Sequence, residues 1–199
     1  MTKSSKSYPS DPISLLKVWL KEAEESETVN PNAMALATAN SEGVPSVRMV
    51  LLKGLDQRGL VFYTNSNSQK GSEISENPTI SLCFYWKSLS RQVRVDGPVS
   101  NVTNEEADEY FSSRSRSSQI GAWSSKQSSL LKNPLELERS FAFYTTKFLV
   151  GKVPRPDFWE GYCVYPELVE FWQERRFRLH DRTVYSRIND EWIMQKLYP

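Results

Sequence analysis

An antiparallel β-barrel with peripheral helices is the fold class this sequence predicts, on three observations. Short β-branched and aromatic runs recur at hairpin spacing along the chain. Helical patterns are few, and most are announced by capping residues. Neither βαβ alternation nor a GxGxxG loop occurs, which disfavours a Rossmann fold.

Asp11-Pro12 supplies an N-cap followed by proline at the first helical position. Leu15, Leu16, Trp19, Leu20 and Ala23 then repeat at helical spacing to about Glu25. Met34 to Thr38 reads as a short strand, Ser41-Glu42-Gly43 as a turn, and Val47 to Lys53 as an apolar run with basic ends. Asp56 to Gly59 turns the chain into the strand Leu60 to Thr64, so these last two runs read as a hairpin. Ser68 to Glu76 reads as a short helix stopped by Asn77-Pro78. Thr79 to Trp86 and Gln92 to Val99 are strands, with Gly97-Pro98 marking a bulge or an edge. Thr103 and Glu106 form a capping box for a helix to about Ser112. Ser112 to Ser129 is Ser-rich, yet it contains Ile120-Gly121-Ala122-Trp123, which a pure linker would not need. Asn133-Pro134 opens a helix whose apolar face is Leu135, Leu137, Phe141, Tyr144 and Phe148. Strands at Tyr162 to Tyr165, Val169 to Trp172, Thr183 to Ile188 and Trp192 to Leu197 complete the chain.

A chain of 199 residues suffices for one sizeable core. The expected organisation is a flexible tail over residues 1–10 and one domain over residues 11–199. Hydrophobic content of 39% and charged content of 25% describe a soluble globular chain, and a net charge of +1 gives no global field for nucleic acid or membrane. The polar N-terminus and the lack of a long apolar run predict no secretory signal and no membrane span. Cytoplasmic location is the corresponding expectation. Two cysteines, each in an apolar run, read as buried thiols in a reducing compartment. One histidine and two distant cysteines predict no metal site.

Four polar clusters and one C-terminal segment interrupt the apolar pattern. Residues 171–182 hold the one histidine, His180, between Arg178 and Arg182, after a Trp172-Gln173 pair. Guanidinium forks, imidazole and indole suit a planar anionic ligand; a solvated basic turn is the ordinary alternative. Arg48 and Lys53 end an apolar run and lie on opposite faces if the strand is regular. Tyr63-Thr64 followed by Ser68-Gln69-Lys70 at a helix start would seat a phosphate, or simply cap the helix. In Ser90 to Arg94, Gln92 is notable because an amide can pair with the imide edge of a flavin or with a base. Tyr110, Arg114, Ser118, Gln127 and Ser128 lie in a region rich in phosphate-type donors, for which a basic linker or an RNA-binding loop are rivals. Cations, donors and aromatics dominate and general bases are scarce, so chemistry here would be carried by a cofactor.

These clusters together resemble the pyridoxamine 5′-phosphate oxidase family. The resemblance is carried by Asn32-Ala33-Met34, Arg48 to Lys53, Phe62 to Asn65, Arg91-Gln92-Val93, Ser117 to Ala122, Lys126 to Ser129, Glu170 to Gln173 and Arg178 to Arg182. It implies an FMN-binding split β-barrel, homodimeric, with shared active sites. It implies oxidation of pyridoxamine or pyridoxine 5′-phosphate to pyridoxal 5′-phosphate, with O2 as acceptor and H2O2 as product. Carried over by motif, Arg48, Met49, Val50, Leu51, Tyr63, Thr64, Gln69, Lys70, Gln92, Gln127, Ser128, Trp172 and Arg182 would hold FMN. Lys53, Tyr110, Arg114 and Ser118 would hold the substrate phosphate. Arg178, Leu179 and His180 would cover the substrate ring, with Arg178 and His180 in the catalytic role.

The chain departs from the family pattern in places. Gln69 stands where relatives carry Arg, which predicts weaker FMN binding. Glu160 and Glu174 stand in place of glycines, a strain if those positions have positive φ. Ser115 replaces a proline, which would loosen its loop, and Asn30 replaces an acidic residue. The alternative function is a non-catalytic flavin or pyridoxal-phosphate binding protein on the same fold.

Overall fold

The computed structural model describes residues 8–199, so residues 1–7 of the expected tail lie outside the described residues. Residues 8 and 9 are tied down: the Tyr8 hydroxyl donates to Asp181 at 3.2 Å and the Tyr185 hydroxyl to the Pro9 carbonyl at 2.8 Å.

The elements run α1 (Pro12–Ser26), β1 (Ala33–Ala39), β2 (Pro45–Leu51), β3 (Gly54–Leu55), β4 (Leu60–Asn65), α2 (Gln69–Glu76), β5 (Thr79–Trp86) and β6 (Arg91–Asn101). They continue with α3 (Asn104–Ser113), α4 (Arg116–Ser124), α5 (Leu135–Lys147), β7 (Trp159–Val164), β8 (Leu168–Gln173), a 3-10 turn at Arg176–Arg178, β9 (Asp181–Ile188) and β10 (Glu191–Leu197). All pairings are antiparallel, in the order β10-β9-β8-β6-β5-β1-β2, with β7 joining β6 to β4 and β4 pairing β3. This is the curled antiparallel barrel that the pattern predicts.

The hairpin expectation needs correction. The run Val47 to Lys53 does not form a ladder with β4; β2 pairs β1 along its whole length, and only Gly54–Leu55 pairs β4. The strand ends at Leu51, so Lys53 lies beyond it. Gly97-Pro98 is neither an edge nor a bulge but the point where β6 changes partner, from β8 up to Asp96 to β7 from Val99. A Cβ on Gly97 would lie 2.0 Å from the Tyr165 carbonyl oxygen, so only glycine allows this crossing.

The inward face carries Met34, Leu36, Leu82, Phe84, Val93, Val95 and Phe171, all at most 1% exposed. Helix α1 closes it: Leu16 and Ala23 are fully buried, and Trp19 meets Phe171 edge-on at 5.0 Å. Asp11 caps α1 by accepting from the amides of Ile13 and Ser14. The capping box at α3 is half formed, because Thr103 accepts from the Glu106 amide while the Glu106 carboxylate binds Arg58. The Ser-rich region conceals α4, missed because Ser and Gly are weak helix formers. Ser115, which stands in place of the family's proline, caps α4 by accepting from the Ser118 amide at 3.3 Å. The periodic face of α5 is largely exposed: Leu135, Leu137 and Phe141 are 40–49% accessible, and only Phe148 at its end is buried. Glu160 and Glu174 do not have positive φ, so the conditional strain does not arise. Cys163 is buried as expected, whereas Cys83 is only half-buried. Among the described residues no helix is long and apolar enough to cross a membrane.

Candidate active site

An open cleft of about 460 Å³ lies where β2, β4, α2, α3 and α4 meet. It is lined by Met49, Val50, Leu51, Lys53, Tyr63, Thr64, Lys70, Tyr110, Arg114, Ser115, Ser118, Gln127 and Trp159. Lys53, Lys70 and Arg114 are its charged residues, and no carboxylate lines it.

Local sequence explains how these groups converge. Strand β4 ends with Tyr63 and Thr64, and Asn65 to Ser68 turn directly into α2, whose first turn carries Lys70. Lys70 is 8% exposed, and its Nζ donates to Ser68 Oγ at 3.1 Å and to Gln127 Oε1 at 2.9 Å. Gln127 also accepts from Thr64 Oγ1 at 3.4 Å, which brings the loop after α4 over the cleft. Burial pushes the Lys70 ammonium below its ordinary pKa, and the Arg48 charge adds to this against the opposing pull of Glu73.

Tyr63, Tyr110 and Trp159 form a stack, with centroids 4.2 Å apart for the tyrosine pair and 5.0 Å for Tyr63 and Trp159. Gly161 permits it, since a Cβ there would be 2.5 Å from the Tyr63 ring. Burial pushes the Tyr63 hydroxyl up to about 12, so it is a neutral donor at any physiological pH. The Arg114 guanidinium lies over Trp159 at 5.0 Å and Phe111 at 5.5 Å. Its Nη1 is buried and has no hydrogen-bond partner, and burial pulls its pKa down. Ser115 and Ser118 place the N-terminal turn of α4 on the same cleft, adding a partial positive charge.

The other predicted residues lie outside this lining. Arg48 turns to α2, where its guanidinium meets Glu73 Oε2 at 3.1 Å and bonds the hydroxyls of Thr38 and Ser46. Gln69 donates to the other Glu73 oxygen at 2.8 Å. Burial alone would raise the Glu73 carboxyl, but hydrogen bonds from Ser46, Thr38, Gln69 and Arg48 outweigh it and hold the group at about 2. Ser128 follows Gln127 in an exposed loop with φ 69°.

Gln92, Trp172 and Arg182 are direct neighbours across β6, β8 and β9, and so share one face of the sheet. The same row continues through Tyr85 on β5 and ends at Leu51 on β2. At about 4.8 Å per strand, Gln92 lies roughly 14 Å and Arg182 roughly 24 Å across the sheet from the β2 edge. Arg182 is bound through Nε to Glu170 at 2.7 Å. His180 packs on Trp172 at 4.7 Å, and its Nδ1 accepts from the Arg175 amide at 3.3 Å. The proton of the neutral ring therefore sits on Nε2. Arg178 and Leu179 are exposed, and Phe177 and Arg178 both have φ 61°. Sequence reasoning missed Trp159 and Ser115 in the cleft and the two buried carboxylates, Glu73 and Glu170. Trp159 sits in a strand and reads as core, and isolated glutamates carry no spacing signal.

Comparison with known proteins gives the family. Residues 20–145 match the family model described as pyridoxamine 5′-phosphate oxidase. Residues 159–199 match the pyridoxine 5′-phosphate oxidase C-terminal dimerisation region. The chain is 53% identical over 192 residues to the pyridoxine/pyridoxamine 5′-phosphate oxidase of Rhizobium meliloti, covering 96% of this chain and 93% of that protein. It is 49% identical to the enzyme of the same description from Brucella canis, over the full length of both. The crystal structure of PhzG from Burkholderia lata, in complex with tetrahydrophenazine-1-carboxylic acid, superposes with a TM-score of 0.91 at 34% identity, covering 96% of this chain and 94% of that one. Whole-length identity near one half, two consecutive family matches and the curled barrel lead to one conclusion: this chain is a dimer-forming oxidoreductase of the pyridoxamine 5′-phosphate oxidase family.

Proposed function

We propose that the chain is an FMN-dependent oxidase that converts pyridoxamine or pyridoxine 5′-phosphate to pyridoxal 5′-phosphate, with O2 as acceptor and H2O2 as product. The observation that carries this reading is the carboxylate-free cleft with a buried, unpartnered Arg114 Nη1. A desolvated guanidinium nitrogen without a partner is costly, and a phosphate is the ligand that satisfies several charged donors together. FMN fits the donor set on the same ground: Lys70, Thr64, Gln127 and the Tyr63 hydroxyl are donors and amides grouped around one cation. Bound flavin supplies two-electron acceptance from the substrate C4′ carbon, and the protein supplies position.

Each residue set has a task in this reading. Lys70, Tyr63, Thr64 and Gln127 hold the flavin phosphate and ribityl chain beside Met49, Val50 and Leu51. Arg114, Lys53, Tyr110 and Ser118 hold the substrate phosphate. Gln92, Trp172 and Arg182 meet the flavin from the sheet face; their separation from the cleft within one chain favours a site completed by the second protomer. Arg178 and His180 sit on a segment with two consecutive left-handed residues, a strain of roughly 1–2 kcal/mol each that is typical of ligand clamps. His180 offers its Nε2–H and Arg178 its guanidinium over the substrate ring.

The test is anaerobic mixing of FMN-loaded protein with pyridoxamine 5′-phosphate while flavin absorbance is followed. The expected result is bleaching, then recovery with peroxide once air is admitted. A flavin that stays oxidised with both the amine and the alcohol substrate would overturn the assignment and leave the non-catalytic binder.

A further inference from the structure

We propose that Glu170 is a positioning residue that fixes the Arg182 guanidinium for its contact with flavin; this rests on the reading that Arg182 belongs to the FMN site. Glu170 is 4% exposed in the middle of β8, flanked by the core residues Val169 and Phe171 on the opposite face. It shares its face with Trp172 and stands diagonal to Arg182.

Both carboxylate oxygens are used. Oε1 accepts from Arg182 Nε at 2.7 Å, and Oε2 lies 3.4 Å from Arg94 Nη2. Arg94 is backed in turn by Asp96 at 3.4 Å, and Asp96 accepts from Ser81 at 2.7 Å. Arg182 donates once more, from Nη1 to the Tyr198 carbonyl at 3.1 Å. Two anchors at different nitrogens fix a planar fork in both rotation and tilt. The remaining N–H donors then point in a set direction beside Gln92 and Trp172.

Stability does not account for this carboxylate. A buried ion pair is seldom better than an apolar residue of the same volume, and the cross-strand partner on β9, Val184, is apolar. Orientation does account for it. A guanidinium whose charge is already balanced can offer directed hydrogen bonds to a neutral, planar, polar ring without demanding an anion. Glu170 thus contributes to flavin binding without touching flavin, as outer partners of bound groups do elsewhere.

The test is an FMN titration of the apoprotein dimer, read by quenching of flavin fluorescence, for wild type, Glu170→Met, Glu170→Gln, Arg182→Ala and the two double variants. Glu170→Met should weaken binding roughly tenfold or more and Glu170→Gln about threefold, both only while Arg182 is present. In the Arg182→Ala background either change should be without effect. A merely structural carboxylate would give the same loss in both backgrounds, and that result overturns the proposal. So does unaltered binding by the single variants. If Glu170→Met fails to fold, the Glu170→Gln pair of titrations decides the matter by the same comparison. Absence of FMN binding by wild type would be a separate outcome: it would remove the functional reading and the proposal with it.

Discussion

Arginine and lysine are handled in two opposite ways in this molecule. In the cleft, Lys70 is buried and Arg114 half-buried with its Nη1 enclosed, no carboxylate lies in the lining, and burial lowers both pKa values. Two arginines outside the cleft are neutralised: Arg182 is bound to Glu170, and Arg48 to Glu73. A bare buried cation opposes folding and makes sense only when an anion completes it. A paired arginine is a rigid fork whose charge is already balanced. The two arrangements therefore predict different ligand chemistry, phosphate in the cleft and a polar ring surface on the sheet.

The sharpest way to break this contrast is Arg114→Met. The substitution removes the orphaned Nη1 and keeps the apolar contact with Trp159 and Phe111. Loss of a charge-assisted contact of about 1.5–3 kcal/mol should raise KM for pyridoxamine 5′-phosphate by roughly 10- to 150-fold. Thermal stability should stay level or rise, because an unpaired desolvated charge is gone. A marked fall in Tm with KM unchanged would show that Arg114 serves the fold and not a ligand.

Lys70 sharpens the comparison through pH. Its folded pKa lies below the ordinary 10.5 because burial, aided by Arg48, disfavours the charged form. A phosphate binds the charged form, so FMN affinity should be flat at neutral pH and decline as pH rises through this lowered pKa. Lys70→Met should weaken FMN about tenfold or more at neutral pH, from the same loss of a charged hydrogen bond, and remove that alkaline decline. An unaltered alkaline limb in Lys70→Met would assign it to another group.

How far sequence reasoning reaches differs between these regions. The β-rich class, α1 with its Asp11 cap, and α2 with Ser68 and Asn77 were legible, because period and capping are local properties. Pairing was less so. The β2 ladder runs back to β1, and β6 passes from β8 to β7 at Gly97, choices made by packing of distant strands. In the candidate site, motif resemblance supplied Lys70, Arg114 and Gln127, which the fold brings onto one cleft. It could not supply the partners that decide what each cation does. Glu73 and Glu170 are single acidic residues inside ordinary helix and strand patterns, and their meaning comes only from the arginines that reach them across the fold.

The smallest effect concerns Gln69, where the contrast between bare and paired charge meets within one helix turn. Gln69 folds back on Glu73 at 2.8 Å, and Glu73 also holds Arg48. An arginine at position 69 would have the same carboxylate four residues on, but that buried group already accepts from Thr38, Ser46 and Arg48. This leaves the new guanidinium partly available to a phosphate beside Lys70. Gln69→Arg should therefore tighten FMN binding by a few-fold, less than a full charged contact would give, because Glu73 competes for the new guanidinium. Adding Glu73→Gln should release that competition and also free Arg48, at the cost of a carboxylate now held at about 2 by four hydrogen-bond donors. If titration shows no gain for Gln69→Arg in either background, the first turn of α2 does not face the flavin phosphate. Lys70 would then have to act on the substrate phosphate, with Arg114 as its partner.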